Sequence, residues 1–235
     1  MPNNTATLRN LIDRVRQRAD MEGSTFVTDS EVITYINTSM AELHDILIQK
    51  FEDYYVSSAT YTLPDDNPGA LPTNFYKVLG VDLETSGSTY RLRRYTFQER
   101  NMFNSPLVLA GRPTNALYSI QGGEIKFIPA DTASGTITLH YVPDPQQFAS
   151  DGTDDSVRLV SKAPQVALGY EEYIVIDSAI KCLVKEESDV KIHLAQKEQL
   201  RRRIEEAAGR RDAGEPMAIS DVTTGTHHDI IINWL

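Results

Sequence analysis

Apolar residues recur at helical spacing in two segments near the beginning of the chain. In residues 7–19 they make one stripe, which consists of Leu8, Leu11, Ile12, Val15 and Ala19. The second segment follows Thr28-Asp29-Ser30-Glu31, a capping-box pattern in which Thr28 caps a free backbone N–H and Glu31 reaches back. Its apolar stripe consists of Val32, Ile36, Met40, Leu43 and Leu47. These patterns predict two helices, and we expect them to pack as an antiparallel hairpin.

Helical spacing returns late in the chain, from about Tyr170. A third helix is predicted by the stripe of Tyr173, Ile176, Ile180, Leu183 and Val184. Ser188 or Asp189 is placed to cap a fourth helix, which carries along one side Val190, Leu194, Lys197, Arg201, Ile204 and Ala208. This fourth helix is less apolar, and its pair Glu198–Arg202 is favourable at a spacing of four residues. We interpret its charged residues as a solvated face rather than a specific contact surface.

The middle of the chain alternates between apolar and polar residues, as strands do. Residues 53–63 are rich in Tyr, Val and Thr, and further strands are predicted at 76–83, 89–95 and 136–142. The strongest hairpin signal is Gly122-Gly123 between two alternating segments, because glycine readily adopts the positive φ angles of a tight turn. The pattern therefore predicts an antiparallel β module between the helices.

The order of these elements predicts an α+β fold. It consists of a helical bundle (the N-terminal helical hairpin plus two C-terminal helices) with an inserted antiparallel β module and an extended C-terminal arm. We expect residues 1–52 and 165–212 to form one bundle domain, 53–143 the β module, 144–164 a connecting loop and 213–235 the arm. The chain has no apolar run long enough to span a membrane and no apolar core of a signal peptide, so we expect synthesis in the cytoplasm.

The last residues are apolar although the segment is too short to hold a core of its own. An exposed apolar end is a liability in a free monomer. We therefore expect it to dock, either on its own sheet or on another subunit by strand addition. The candidate partner-binding residues are Met217, Ile219, Val222, Ile230, Ile231, Ile232, Trp234 and Leu235.

The charge balance argues against stable nucleic-acid binding. Lys and Arg number 23 against 33 Asp and Glu, which gives a net charge of −10, whereas nucleic-acid binding needs a basic footprint. An acidic surface would suit a passage through which DNA slides without sticking, but charge alone does not separate that role from plain solubility. Cys182 is the single cysteine, so an internal disulfide is excluded, and we expect a small buried apolar side chain there.

Sequence signatures of catalysis and metal binding are missing. The chain has no G-x-S-x-G elbow, no phosphate-binding G-x-x-x-x-G-K-[ST] loop and no H-E-x-x-H zinc helix. The histidines are not spaced as metal ligands, and the acidic loop 151–155 lacks the ligand pattern of an EF-hand. We therefore predict a structural assembly protein rather than an enzyme, with no catalytic residue, no metal and no cofactor.

Several segments together resemble the head-to-tail adaptor (connector) proteins of short-tailed and related bacteriophages. Residues 8–20 and 26–43 are similar to the helical hairpin of that family, and residues 91–143 to its β module with a Gly-turn hairpin and a strand ending in Tyr-x-Pro. Residues 214–235 resemble its extended C-terminal arm. The order and combination of these segments carry the resemblance more than any one of them.

The resemblance implies a virion protein of the neck, assembled in the host cytoplasm, with no membrane association. Such adaptors form a homo-oligomeric ring, typically twelve-fold, beneath the portal protein, with a tail nozzle or tail tube protein below. Double-stranded DNA passes through the lumen during ejection without specific binding. The arm residues named above would then grip the portal.

Other functions remain open from the sequence. A tail-completion or neck protein docking elsewhere on the tail would share these features. A virion-associated cell-wall hydrolase would need a cleft with a perturbed carboxylate or a metal. A DNA-binding module is the class that the net charge disfavours most.

Overall fold

The computed structural model describes residues 6–50, 52–103, 116–130, 134–164, 166 and 169–209. The helices are α1 (Leu8–Arg18), α2 (Asp29–Lys50), α3 (Arg100–Phe103), α4 (Leu159–Lys162), α5 (Glu171–Lys185) and α6 (Lys191–Gly209). Short 3-10 turns lie at Glu52–Tyr55 and Phe97–Glu99. The strands are β1 (Ser57–Leu63), β2 (Gly69–Ala70), β3 (Phe75–Thr85), β4 (Ser88–Arg91), β5 (Arg93–Arg94), β6 (Leu117–Gln121), β7 (Glu124–Ile128) and β8 (Gly135–Pro143). The predicted α+β class is confirmed.

The first two helices begin at the residues that the sequence indicates. The Thr7 side chain accepts a hydrogen bond from the backbone N–H of Asn10 and caps α1. At α2 the backbone N–H of Thr28 donates to Glu31 Oε2 at 2.9 Å, and the N–H of Glu31 donates back to Thr28 Oγ1 at 3.3 Å. Both predicted apolar stripes are buried in one core, because helical positions three or four apart share a face.

Helix α5 lies at the centre of the helical part and contacts α1, α2 and α6. Every residue from Tyr173 to Ile180 is buried, as expected for a helix with neighbours on several sides. The predicted burial of Val184 is wrong, since its exposed fraction is 59%. Val184 lies in the last turn of α5, beyond the stretch from Tyr173 to Ile180 that is buried on all sides.

Two four-stranded sheets form the β part. Their strand orders are β1-β8-β3-β4 and β2-β7-β6-β5, and the pairings are antiparallel except for the two-residue parallel contact of β5 with β6. Apolar side chains from both sheets form a separate core cluster that includes Tyr61, Val81, Phe127, Ile137 and Leu139. The predicted hairpins are both present, and each turns on two residues with positive φ: Ser86 and Gly87 between β3 and β4, and Gly122 and Gly123 between β6 and β7.

Two strand boundaries differ from the prediction. The segment predicted as a strand from residue 53 begins as a 3-10 turn, in which Tyr55 packs into the helical core instead of a sheet. The strand predicted over 89–95 breaks at Leu92, whose side chain is buried in the core of the β part. After this break, Arg93–Arg94 pair with the second sheet, so the chain crosses between sheets there.

The predicted connecting loop packs closely against the helices. Asn37 Nδ2 on α2 donates to the Phe148 carbonyl at 2.9 Å, and the Phe148 N–H donates to Asn37 Oδ1 at 2.9 Å. Phe148 is buried, and so is Leu159 in α4. The predicted division of the chain into domains stays a prediction.

Candidate interaction surfaces

A buried network of charges joins three helices. Asp177 on α5 is only 2% exposed, and it is held by two cations. Lys181 Nζ lies 2.5 Å from Asp177 Oδ2, and Lys197 Nζ on α6 lies 2.7 Å from Asp177 Oδ1. The Ser39 hydroxyl on α2 also donates to Asp177 Oδ2 at 2.6 Å. Lys197 additionally contacts Glu42 Oε1 on α2 at 2.8 Å, so one lysine links α6 to both other helices.

The electrostatics of this network indicate a structural role. Burial would raise the pKa of Asp177, but the hydrogen bonds from Lys181, Lys197 and Ser39 outweigh burial and lower it. Both carboxylate oxygens of Asp177 are occupied by cations, which leaves neither free to act as a base. On the same helix, burial raises the pKa of the Cys182 thiol to about 11, so this thiol is unreactive at neutral pH. The network therefore fixes the position of α6 rather than providing a reaction centre.

A surface groove crosses α5 between α1 and α6, and we call it the arginine groove. It consists of two adjoining cavities of about 390 and 530 Å³, which share Arg18 and Glu172. Arg14 Nη2 lies 2.9 Å from Glu172 Oε2, and Arg18 pairs with the other oxygen of the same carboxylate. Further residues line the groove: Gln17, Val175, Ile176, His193, Gln196, Gln199, Leu200 and Arg203.

The arginine groove holds polar groups that nothing in the described chain satisfies. His193 Nδ1 and Gln196 Oε1 are buried and have no hydrogen-bond partner among the described residues. Arg203 has no ion-pair partner among the residues that the structure describes, whereas its neighbour Arg202 pairs with Glu198 at 3.1 Å. His193 Nδ1 and Gln196 Oε1 are enclosed by the chain itself and lie out of reach of a docking surface, whereas Arg203 is exposed and can form an ion pair there.

A second cleft lies where the helices meet the sheets. It has a volume of about 450 Å³ and is lined by the end of α2, the turn at Glu52–Tyr55 and the start of β3. Tyr76 donates to Asp45 Oδ1 at 2.6 Å, and this bond raises the pKa of Tyr76 to about 12. Lys77 pairs with Glu52 in the same cleft. These contacts tie β3 to α2 and so orient the β part on the helices.

A buried histidine, His44, lies at this junction. His44 is 1% exposed, its ring meets Tyr76 edge-on at 5.4 Å between ring centroids, and Nε2 has no partner among the described residues. Burial lowers the pKa of His44, although Asp144, Asp45 and the Pro143 carbonyl oppose the shift. The neutral form is therefore the one that the folded state favours.

We predict that His44→Gln reduces the loss of stability on mild acidification. Because the folded pKa lies below the unfolded value of about 6.5, the unfolded chain binds the proton more readily. The contribution of neutral His44 to the free energy of unfolding is fully present above about pH 6.5. It is lost as the pH falls towards the lower pKa of His44 in the folded protein. Urea unfolding at a series of pH values checks this, and parallel pH profiles for the wild type and the variant would contradict it.

The remaining predicted features lie apart from these surfaces. The candidate partner-binding residues, Met217 to Leu235, lie outside the described residues, as do His227 and His228. His140 sits on β8 beside Asp82, with 3.2 Å between His140 Nε2 and Asp82 Oδ2. Asp151 accepts hydrogen bonds from Thr153, so the acidic loop closes on itself.

The described ranges lack metal-binding clusters and membrane-spanning helices. Within the described ranges, no group of three or more His, Cys, Asp or Glu side chains is placed to hold a metal ion. No helix in the same ranges is long and apolar enough to cross a membrane.

Sequence reasoning missed the arginine groove. Its residues come from α1 and from the two C-terminal helices, which lie far from α1 in the sequence. The sequence indicates a solvated or partner-facing surface for the arginines of α1 and a solvated face for those of α6, without joining the two. The available signal was the polar stripe Gln196, Gln199 and Arg203 on the face of α6 next to its apolar side.

Comparison with known families identifies the class of protein. The family model described as SU10 adaptor protein matches residues 6–220, which is nearly the whole chain. The chain belongs to the SU10 adaptor protein family. No curated protein shows significant similarity to the chain. The predicted resemblance to bacteriophage head-to-tail adaptors is thereby confirmed.

Membership of the SU10 adaptor family supports a structural role in the virion. An adaptor of this kind implies a place in the virion neck and contacts with portal and tail proteins. It also implies a role without catalysis.

Proposed function

We propose that the protein is a subunit of the head-to-tail adaptor ring, which binds beneath the portal and links it to the tail. The observation that carries this proposal is the family match across residues 6–220. The ring is typically twelve-fold in proteins that the chain resembles, and double-stranded DNA passes through its lumen during ejection. The net charge of −10 supports a passage that does not retain DNA, because phosphates and carboxylates repel each other.

Imaging of the protein with its portal tests the proposed function. The purified full chain is mixed with the portal ring of the same phage and examined by negative-stain electron microscopy. A second collar of density beneath the portal is the expected result, and its symmetry would give the copy number. Bare portals, with the added protein demonstrably folded, would overturn the portal-binding role and favour a neck protein that docks on the tail.

We further propose that residues 216–235 form the portal-binding arm. Met217, Ile219, Val222, Ile230–Ile232, Trp234 and Leu235 supply its apolar contacts. Deleting residues 216–235 removes this apolar surface, and we expect the affinity for the portal to fall by about a hundredfold or more. Co-sedimentation with portal rings measures the loss. Unchanged binding by a truncated chain with the wild-type melting temperature would contradict the assignment.

A milder variant separates apolar contacts from chain length. Trp234→Ala retains the whole arm but removes its largest apolar side chain, and tryptophan is among the residues that most often dominate binding energy. We expect a smaller loss of portal affinity than for the deletion. Thr223→Ala is the matched control, because it truncates a polar side chain in the same segment.

A further inference from the structure

The arginine groove has the charge opposite to that of the protein as a whole. Three of its lining residues are arginines (Arg14, Arg18 and Arg203) and one, Glu172, is a glutamate, which leaves two positive charges uncompensated. The chain carries a net charge of −10. A concentrated positive surface on an acidic protein attracts carboxylates, and complementary charge is what selects and orients a partner.

An exposed apolar side chain extends the groove along α6. Ile192, Gln196, Gln199 and Arg203 are spaced by four, three and four residues, so they form one stripe on the helix. Ile192 is 72% exposed, a high value for a large apolar residue. The stripe thus combines an apolar contact at one end, two amides in the middle and a guanidinium at the other end.

The polar groups of the groove fit a protein surface as ligand. Gln199 and Arg203 are exposed on this stripe, and Arg203 has no ion-pair partner among the described residues, so both side chains can bond to a docked surface. An apolar residue, amides and arginines on one face match the composition of protein interfaces, in which arginine is enriched.

The charge also determines how two copies of the chain can meet. Two copies of the groove facing each other would bring arginines against arginines, so a symmetric two-fold contact through this surface is disfavoured. A second copy must instead present a different, acidic surface, which makes the contact head-to-tail. Contacts of this type generate closed rings when the rotation from each subunit to the next adds up to a full turn.

We infer that the arginine groove binds a carboxylate-bearing surface of a second copy of this chain, as the contact between neighbouring subunits. This inference rests on the proposed ring, and it assigns the contact to Ile192, Gln199 and Arg203 with the Arg14–Arg18 pair. Helix α6 is positioned for that contact by the buried link from Lys197 to Asp177 and Glu42.

Site-specific photo-crosslinking tests the contact on the full chain. Gln199 is replaced by the photoreactive residue p-benzoyl-phenylalanine, and Arg201, which lies about 200° around the same helix and is 51% exposed in its side chain, receives it as control. Irradiation is carried out on the free protein at high concentration and on portal-bound protein. We expect a covalent dimer from position 199, at least about tenfold more than from position 201, linked to an acidic peptide of a second copy.

Charge reversal provides an independent measurement. Arg203→Glu places a carboxylate opposite the partner's carboxylates, and we expect self-association to weaken by about tenfold or more. Arg202→Glu makes the same change in charge outside the groove and serves as the control. Sedimentation velocity reports the association, and thermal melting confirms that both variants fold.

The outcomes separate this inference from the proposed function. Collars on portals without a dimer at position 199 would overturn the inference and leave the adaptor role intact. A dimer at position 199 with bare portals would support the subunit contact and overturn the portal-binding role. Crosslinks only to the portal, or only within one chain, would overturn the inference, and so would equal association of the Arg203→Glu and Arg202→Glu proteins.

Discussion

Asp177→Ala is expected to lower the free energy of unfolding by about 2–4 kcal/mol, because it leaves two partly buried cations without their anion. Lys181 and Lys197 approach the two carboxylate oxygens of Asp177 at 2.5 and 2.7 Å. After the substitution, the ammonium groups of Lys181 and Lys197 remain partly shielded from water, but the Asp177 carboxylate no longer neutralises them. Lys197 retains only Glu42, whose side chain is 42% exposed and therefore screened by water.

Urea unfolding followed by circular dichroism measures this loss. Glu198→Ala is the matched control, since Glu198 belongs to an exposed pair with Arg202 on α6, and we expect a change within about 0.5 kcal/mol. A combined variant, Asp177→Leu with Lys181→Met and Lys197→Met, removes charges on both sides and should recover much of the stability. A loss for Asp177→Ala no larger than that of the control would contradict the proposed role of the network.

The same network predicts the direction of the acid response. The pKa of Asp177 is lowered in the folded protein, so its contribution is complete above the unfolded value of about 3.9 and is lost as the pH falls through the folded pKa. The His44 contribution is lost at a higher pH, below about 6.5. Acid unfolding should therefore weaken the junction between helices and sheets before the α6 attachment.

The sequence predicted those features that local chemistry determines. The α1 and α2 stripes and the capping box at Thr28–Glu31 specify two helices without help from the rest of the fold. The Gly122-Gly123 turn specifies its hairpin in the same way. These predictions succeeded because helical periodicity and positive φ angles depend on residues close in the sequence.

Features that depend on distant residues escaped the prediction. Strand β1 pairs with β8, which follows it by more than seventy residues, and no local pattern selects that partner. Tyr55 has the composition of a strand residue but packs into the helical core, and Leu92 breaks a strand by turning into the core of the β part. No local pattern distinguishes Asp177 from an ordinary polar position of an amphipathic helix, because its partner Lys197 comes from the next helix.

The arginine groove illustrates the same limit at the level of function. The prediction that the chain docks on partners rests on its apolar C-terminal residues, which the sequence shows directly. Arg14, Arg18 and Arg203 carry no such signal, since arginines on amphipathic helices are usually solvated. Only the packing of both α1 and α6 against α5 brings them to one surface.

Gly135→Ala is expected to lower the free energy of unfolding by about 2–5 kcal/mol, the combined cost of backbone strain and overpacking. Gly135 begins the interior strand β8 with a φ of +130°, a region that L-residues rarely adopt. A Cβ added there would lie 2.5 Å from the Glu84 carbonyl oxygen of β3 and 2.9 Å from Leu83 Cδ1. Because a backbone oxygen cannot move aside like the end of a flexible side chain, β8 would have to shift against β3.

Gly87→Ala isolates the backbone part of that effect. Gly87 also has a positive φ, +76°, but an added Cβ would meet no atom within 4 Å in the described chain. We expect a loss of about 1 kcal/mol there, and equal losses at the two positions would contradict the close approach of β8 to β3.

The form of the Gly135→Ala transition tests the proposed domain boundaries as well. If the β module unfolds as a separate unit, the circular dichroism signal of the strands in Gly135→Ala should be lost at a lower temperature than that of the helices. Coincident transitions would mean that the contacts of Tyr76 and His44 join the helices and the sheets into one cooperative unit.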